Sequence, residues 1–240
     1  MKHYLALLVP DEPPYGRAMT TTTRGPVRIA IIVGSARPGR AGAAVGRWVY
    51  DTAVNDDAAA YELIDLKNVG LPLLDEENAP MLGRYTQPHT LRWAEIVAKF
   101  DGFVFVTPEY NHGVPAALKN AIDFLYAEWT NKAAGFVSYG SEGGVRAVEH
   151  LRAVMAQIRI ADVGPNVTLS LAQDFENYLH FRPRAFQEGA VTAMLSELIG
   201  WSEALRTLRV HNESRHSRDP RETDLVSVPN ANVEAGARRH

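Results

Sequence analysis

The chain contains no cysteine. Disulfides, thiolate zinc sites, iron–sulfur ligation and cysteine nucleophiles are therefore excluded. Any redox role must be carried by a bound cofactor. Long hydrophobic runs are missing too. The apolar stretch 4–9 near the start falls far short of the roughly 20 residues that a membrane-spanning helix needs. It is also marginal as a signal-peptide core, with no small-x-small cleavage pattern behind it. Neither sign of charge dominates: 25 Lys and Arg against 28 Asp and Glu leave a net charge of −3. No large basic field points to nucleic acid. These exclusions predict a soluble, cytoplasmic protein with neither a membrane nor a nucleic-acid partner.

What is there fits a globular chain. Hydrophobic residues make up 46% and charged residues 22% of 240 positions, enough to bury a sizeable core. Residues 1–25 read as a flexible extension in which Met19, ahead of TTTTRG, offers a second plausible start. Residues 210–240 are polar, with arginines and carboxylates in balance, and read as a disordered tail. Between them, 26–209 is expected to form one domain with a net charge near −4.

Inside that domain the pattern alternates. Residues 27–33 (VRIAIIV) form a short β-branched run, as expected of a strand buried on both faces. Segments 61–66, 103–107, 133–139 and one within 160–171 read as four further strands. Helices are predicted over 39–54, 89–100, 114–126, 143–158 and about 186–208, the strongest being 114–126 with Pro115 in its first turn. Residues 71–83 read as a loop, and 172–184 as a polar interruption. Five strands interleaved with helices predict a parallel sheet covered on both faces, with ligands bound beyond the carboxyl ends of the strands. The loops after strands 1, 3 and 4 are thus the ones to inspect.

The first, 34–42 (GSARPGRAG), opens a helix, where backbone N–H groups and the helix dipole favour an anion. Ser35 adds a hydroxyl, and Arg37 and Arg40 add charged forks. The plainer alternative is a serine cap with two solvated arginines. A nucleotide-triphosphate loop is disfavoured, because the Lys-Ser/Thr pair is replaced by Arg40-Ala41. The dinucleotide fingerprint fails at Ala36, which leaves Asp65 as an ordinary strand-end carboxylate. A phosphate monoester fits best. The second loop, 107–115 (TPEYNHGVP), puts Pro108, Glu109, Tyr110 and Asn111 at the sheet edge, with Gly113 permitting a sharp turn. A planar heteroaromatic ring would find stacking and edge hydrogen bonds there. The alternative is a turn with an Asn111 cap. His112 is either a proton donor or a surface side chain. The third loop, 139–144 (YGSEGG), offers bare backbone to a flat ligand.

Together, GSARPGR, TPEYNHGVPAALKNAIDFL, YGSEGG and the LPLLDEENAP stretch resemble the NADPH-dependent FMN reductase family over roughly residues 27–208. The resemblance implies a flavodoxin-like three-layer α/β sandwich with a five-stranded parallel sheet of order 2-1-3-4-5. It implies one non-covalent FMN per subunit and a homodimer or homotetramer. By the same resemblance, Ser35, Arg37 and Arg40 would hold the FMN phosphate, although many relatives carry Ser or Thr where this chain has Arg40. Pro108, Glu109, Tyr110 and Asn111 would line the isoalloxazine, largely through backbone. Tyr139, Gly140, Ser141 and Gly143 would form the opposite edge.

The expected activity is hydride transfer from NAD(P)H to bound flavin, and then to a small acceptor (free FMN, a quinone, an azo or a nitro compound) in a ping-pong cycle. The flavin carries the chemistry, so no catalytic residue and no metal is called for. An electron-transfer flavodoxin is the alternative, weakened by the mild charge, and a non-catalytic FMN-binding module is another. Arg84, Arg146 and Arg182 are candidate anchors for the nicotinamide cofactor. Phe124, Tyr126, Trp129 and the 175–184 insert are candidates for a surface that covers a neighbouring subunit's flavin, or else for packing within the subunit.

Overall fold

The computed structural model describes residues 25–55 and 57–216. Five strands, β1 (Val27–Val33), β2 (Ala59–Asp65), β3 (Gly102–Pro108), β4 (Ala133–Gly140) and β5 (Ala161–Ser170), form one parallel sheet of order β2-β1-β3-β4-β5. The flavodoxin-like order expected from the sequence is the order found. The helices are α1 (Gly42–Ala53), α2 (Leu66–Val69), α3 (Pro88–Ala98), α4 (Ala116–Asp123), α5 (Val145–Gln157) and α6 (Phe186–His216).

The strands alternate their faces, as a period of two requires. In β1, Ile29 and Ile31 face α1 and α6, while Ala30 and Ile32 face α3, α4 and α5. In β3, Val104 and Val106 take the first face and Phe103 and Phe105 the second. All of β3 and β4 is buried, because both strands are central and covered twice. Edge strand β5 carries Pro165 where its register against β4 shifts between Ala134 and Phe136. A proline, which cannot donate to a ladder, is tolerated at an edge irregularity of this kind.

Phe124 and Trp129 do not reach the surface. Both are fully buried, and the Trp129 indole N–H donates to the Ile122 carbonyl at 3.0 Å. Trp129 packs edge-on to Phe103 with ring centroids 4.8 Å apart. Of the two destinations expected for them, a neighbour's flavin or the subunit's own interior, both residues take the interior. The apolar periodicity of 114–126 did not distinguish these two destinations. It also overstated the helix: α4 starts only after Pro115 and ends at Asp123, where the chain turns to bring Phe124, Leu125 and Trp129 into the core.

Two further elements differ from expectation. The polar interruption holds a small antiparallel hairpin, β6 (Phe175–Glu176) and β7 (His180–Phe181). The last helix, expected to end near 208, runs on to His216. Two ion pairs tie this helix to the sheet. Arg206 and Arg209 reach back to the carboxylate of Asp101, beside the start of β3. Arg206 also donates to the carbonyls of Gly25 and Pro26, and Arg209 to that of Asn131. This gives the polar end of α6 a fixed place at the amino-terminal edge of the sheet. Residues 1–24 and 217–240, where the flexible extension and most of the disordered tail were expected, lie outside the described residues.

Candidate functional site

Strands β1, β3 and β4 all end at one edge of the sheet, so the three singled-out loops meet there. After β1 the chain is drawn tightly against the sheet. The Gly34 amide donates to the Val106 carbonyl at 2.8 Å, and a β-carbon on Gly34 would sit 2.8 Å from Leu118. Arg37 to Arg40 form a turn closed by an Arg40 N–H to Arg37 C=O bond of 3.3 Å, with Pro38 second and Gly39 at φ +65°. This is the type II arrangement that proline and glycine favour. Helix α1 then begins without a side-chain cap, so its first N–H groups lack an intrahelical partner.

The three phosphate-loop candidates have different surroundings. Ser35 is fully buried, with its hydroxyl 3.3 Å from the Tyr139 hydroxyl. A β-carbon on Gly42 would come within 2.3 Å of the first oxygen and 2.8 Å of the second. Glycine there is thus what leaves room for the pair. Arg37 is exposed. Arg40 is largely buried and paired with Asp65, and its Nε has no hydrogen-bond partner. Asp65 also accepts from the Lys67 N–H at 3.0 Å and caps α2. The strand-end reading of Asp65 therefore stands, with the Arg40 pair added.

The second loop is a two-residue reverse turn. Tyr110 and Gly113 exchange both backbone hydrogen bonds at 3.0 Å. The left-handed residues are Asn111 (φ +50°) and His112 (φ +64°), not Gly113. That conformation costs a side-chain-bearing residue about 1–2 kcal/mol, least for Asn, and such strain concentrates at functional edges. Asn111 and His112 are exposed at the tip.

Glu109 has a structural task that the sequence did not disclose. Its carboxylate accepts the Arg146 backbone N–H at 3.0 Å and the Arg146 guanidinium at 2.8 Å, capping α5. Burial alone would raise its pKa, but the Arg146 bonds outweigh that and hold it below the usual range. Arg146 is accordingly engaged at this cap. The Glu109 amide donates to the Tyr139 carbonyl at 3.0 Å, which joins the second loop to the third.

In the third loop, Gly143 (φ +73°) and Gly144 (φ +78°) turn the chain into α5. A β-carbon on Gly144 would lie 2.9 Å from the Tyr139 amide. The Ser138 hydroxyl donates to the Gly143 carbonyl at 2.7 Å. Gly140 and Gly143 are buried, whereas Ser141 is exposed. Burial raises the Tyr139 phenol to about 12, with the Ser35 bond opposing it, so the hydroxyl stays protonated.

A cleft at this edge draws on all three loops. Arg37, Arg40 and Ala41 line one end, and Pro108, Glu109, Tyr110, Tyr139 and Gly140 line the other. Tyr178 and Leu179, from the tip of the β6–β7 hairpin, form a further wall. Of the sequence candidates, Ser35 sits just behind the cleft through its Tyr139 contact, while Asn111, Ser141 and Gly143 do not line it. The 175–184 insert, expected either to cover a neighbouring subunit's flavin or to pack within the subunit, instead walls the cleft of its own subunit, and its hairpin form was not foreseen. Its only signal was the aromatic content of DFENYLHF inside a polar stretch. Among the described residues there is no cluster of His, Asp and Glu suited to a metal, and no helix long and apolar enough to cross a membrane.

The sheet order, with a glycine-lined cleft where β1 and β3 diverge from their loops, defines a flavodoxin-like α/β protein. The same architecture is found in FerB, a flavoenzyme NAD(P)H:(acceptor) oxidoreductase from Paracoccus denitrificans. The match has a TM-score of 0.57 and 22% identity, and covers 74% of this chain and 98% of that one. The sequence narrows the class. Residues 27–174 match the NADPH-dependent FMN reductase family, and the chain belongs to it. A protein named NAD(P)H-dependent FMN reductase from Schizosaccharomyces pombe is 41% identical over 146 residues, 59% of this chain and 73% of that protein. One of the same name from Saccharomyces cerevisiae is 36% identical over 165 residues, 62% and 86% of the two chains. A quinone reductase of Escherichia coli K12 is 33% identical over 136 residues, 54% and 69%. Membership makes the chain an oxidoreductase that works with FMN and NAD(P)H, as the sequence motifs implied.

Proposed function

We propose that this protein oxidises NAD(P)H and reduces a small acceptor, such as free FMN, a quinone, or an azo or nitro compound, in a ping-pong cycle at the cleft. When bound there, FMN supplies hydride acceptance and two-electron transfer. The observation that carries this reading is the convergence of an uncapped helix start, two arginines and a glycine-lined edge in one cleft. Its parts fit a phosphate-bearing flat ring. The Arg40 Nε is buried with no partner, and an anion would satisfy it. Gly42 keeps the Ser35–Tyr139 cradle open.

In this reading Ser35, Arg37 and Arg40 hold the phosphate, with Asp65 fixing the Arg40 fork. Pro108, Glu109 and Tyr110 border the ring on one side and Tyr139 and Gly140 on the other, while Asn111, Ser141 and Gly143 shape the turns behind them without lining the cleft. Glu109 works chiefly through its backbone, because its carboxylate is taken by α5. No side chain in the cleft is asked to act as a nucleophile or general base, and the reductant and acceptor take turns at the same open face.

Assembly as a homodimer or homotetramer belongs to the same proposal. Exposed Leu73 and Met81, in the loop between α2 and α3, offer it an apolar surface. Light scattering should then find at least two subunits per particle, and a stable monomer would refute that part. The activity is tested by steady-state NAD(P)H oxidation at varied acceptor. Parallel double-reciprocal lines are expected. Intersecting lines would refute the ping-pong order, and FMN binding without NAD(P)H oxidation would favour a carrier or binding module.

A further inference from the structure

Hairpin β6–β7 lies outside the matching loops yet borders the cleft. Its base is firmly held. The Asp174 side chain is fully buried and accepts from the Ser170 N–H at 2.9 Å, the Arg184 N–H at 3.1 Å and the Arg184 Nε at 3.0 Å. Burial alone would raise the Asp174 pKa, but these bonds outweigh it and keep the carboxyl ionised. Phe175 is buried, with its ring 5.2 Å from Phe181 and 6.0 Å from Tyr139. Phe181 in turn meets Trp48 of α1 edge-on at 5.4 Å. The base is thus coupled through Tyr139 to Ser35, while the tip projects freely.

The tip has a different character. Tyr178 and Leu179 are 67% and 73% exposed, two large side chains left in water beside an arginine-bearing cleft. Asn177 and Tyr178 adopt left-handed backbone (φ +52° and +60°), a strain that a tyrosine does not adopt without compensation. The hairpin therefore holds a costly conformation on a rigid base, and that conformation puts an aromatic and an aliphatic side chain at the cleft wall.

We infer that Tyr178 and Leu179 are a cofactor clasp: they cover one side of bound FMN and set how slowly it leaves. This rests on the proposed FMN site. Their apolar surface would be withdrawn from water only when the cleft is filled, so the gain appears as retention and slows release. The clasp has no part in hydride transfer. Its partner is the flavin nucleotide itself, rather than a second copy of the chain.

The test uses the full chain loaded with FMN and follows release by the recovery of free-flavin fluorescence on dilution. The double variant Tyr178→Ala/Leu179→Ala should release FMN roughly tenfold faster. The conservative pair Tyr178→Phe/Leu179→Met should stay within about twofold of wild type, since it keeps the apolar area. Leu208→Ala removes another exposed apolar group, on α6 and away from the cleft lining, and should change nothing. Because the tip is exposed, the alanine pair should melt like wild type. An unchanged release rate in that pair, with wild type retaining FMN, overturns the clasp alone. A wild-type chain that holds no FMN overturns the proposed site, and the clasp with it.

Discussion

Gly42 offers a sharp test of the local reasoning, because two effects of opposite sign meet there. Gly42→Ala adds one methyl at the first residue of α1. In an exposed helix that change is favourable by up to about 1 kcal/mol. At this position the new carbon would approach the Ser35 hydroxyl to 2.3 Å and the Tyr139 hydroxyl to 2.8 Å. The first distance is far inside the 3.4–4 Å of ordinary contact, and both neighbours are buried. Relief requires α1 to lift or the Ser35–Tyr139 pair to part. Overpacking of this kind costs about 1–3 kcal/mol, so it should outweigh the helical gain. The expected outcome is a loss of roughly 1–2 kcal/mol in urea unfolding, together with weaker FMN binding, because the pair at the base of the cradle is displaced. Gly200→Ala in α6 is the control: nothing lies within 4 Å of its added carbon, so stability should rise by up to about 1 kcal/mol. If Gly42→Ala stabilises as much as Gly200→Ala and binds FMN normally, the close-packed cradle is wrong.

Three other outcomes follow from named contacts. Arg37→Ala should weaken FMN binding by about 1.5–3 kcal/mol, the usual worth of a hydrogen bond to a charged group; an unchanged titration removes Arg37 from the phosphate site. Glu109→Ala leaves the first turn of α5 uncapped and should cost about 1–2 kcal/mol in urea unfolding; a loss under a few tenths would deny the cap its role. Lys132 is buried, with its ammonium 2.9 Å from the Val97 carbonyl. Burial first, and then nearby Arg209, bring its pKa down from 10.5 to about 7. Between those values the unfolded chain binds the proton and the folded chain does not, so this group makes stability rise with pH from about 7 upward. Lys132→Met should flatten the wild-type slope between pH 7 and 9; equal slopes would refute the shift.

The sheet was legible because its physics is local. VRIAIIV and FVFVT are short, β-branched or aromatic, and flanked by glycine or polar turns, the pattern of strands buried on both faces, and their ends place the loops. Their order followed from the family resemblance, and the pairing of β1 with both β2 and β3 bears it out. The backbone devices were legible in part. A sharp turn at TPEYNHGVP was expected through Gly113, but the left-handed positions are Asn111 and His112, which a single sequence does not single out. Side-chain partnerships across long separations were not legible. The Glu109 bond to Arg146 and the Arg206 and Arg209 bonds to Asp101 join residues whose nearness exists only once the sheet has formed. The hairpin was hidden for the same reason: a strand of two residues has no periodicity to read, and its anchor, Asp174 with Arg184, is itself tertiary.

The central claim is that the cleft at the carboxyl edge holds FMN and passes electrons from NAD(P)H. The most direct measurement is an anaerobic titration of the purified chain, first with FMN and then with NADPH or NADH, followed by visible absorbance. The expected result is saturation at one FMN per subunit, bleaching of that absorbance by the nicotinamide, and its return when a quinone is added. A chain that binds no FMN, or that binds it and keeps its colour with both NADPH and NADH, would contradict the account.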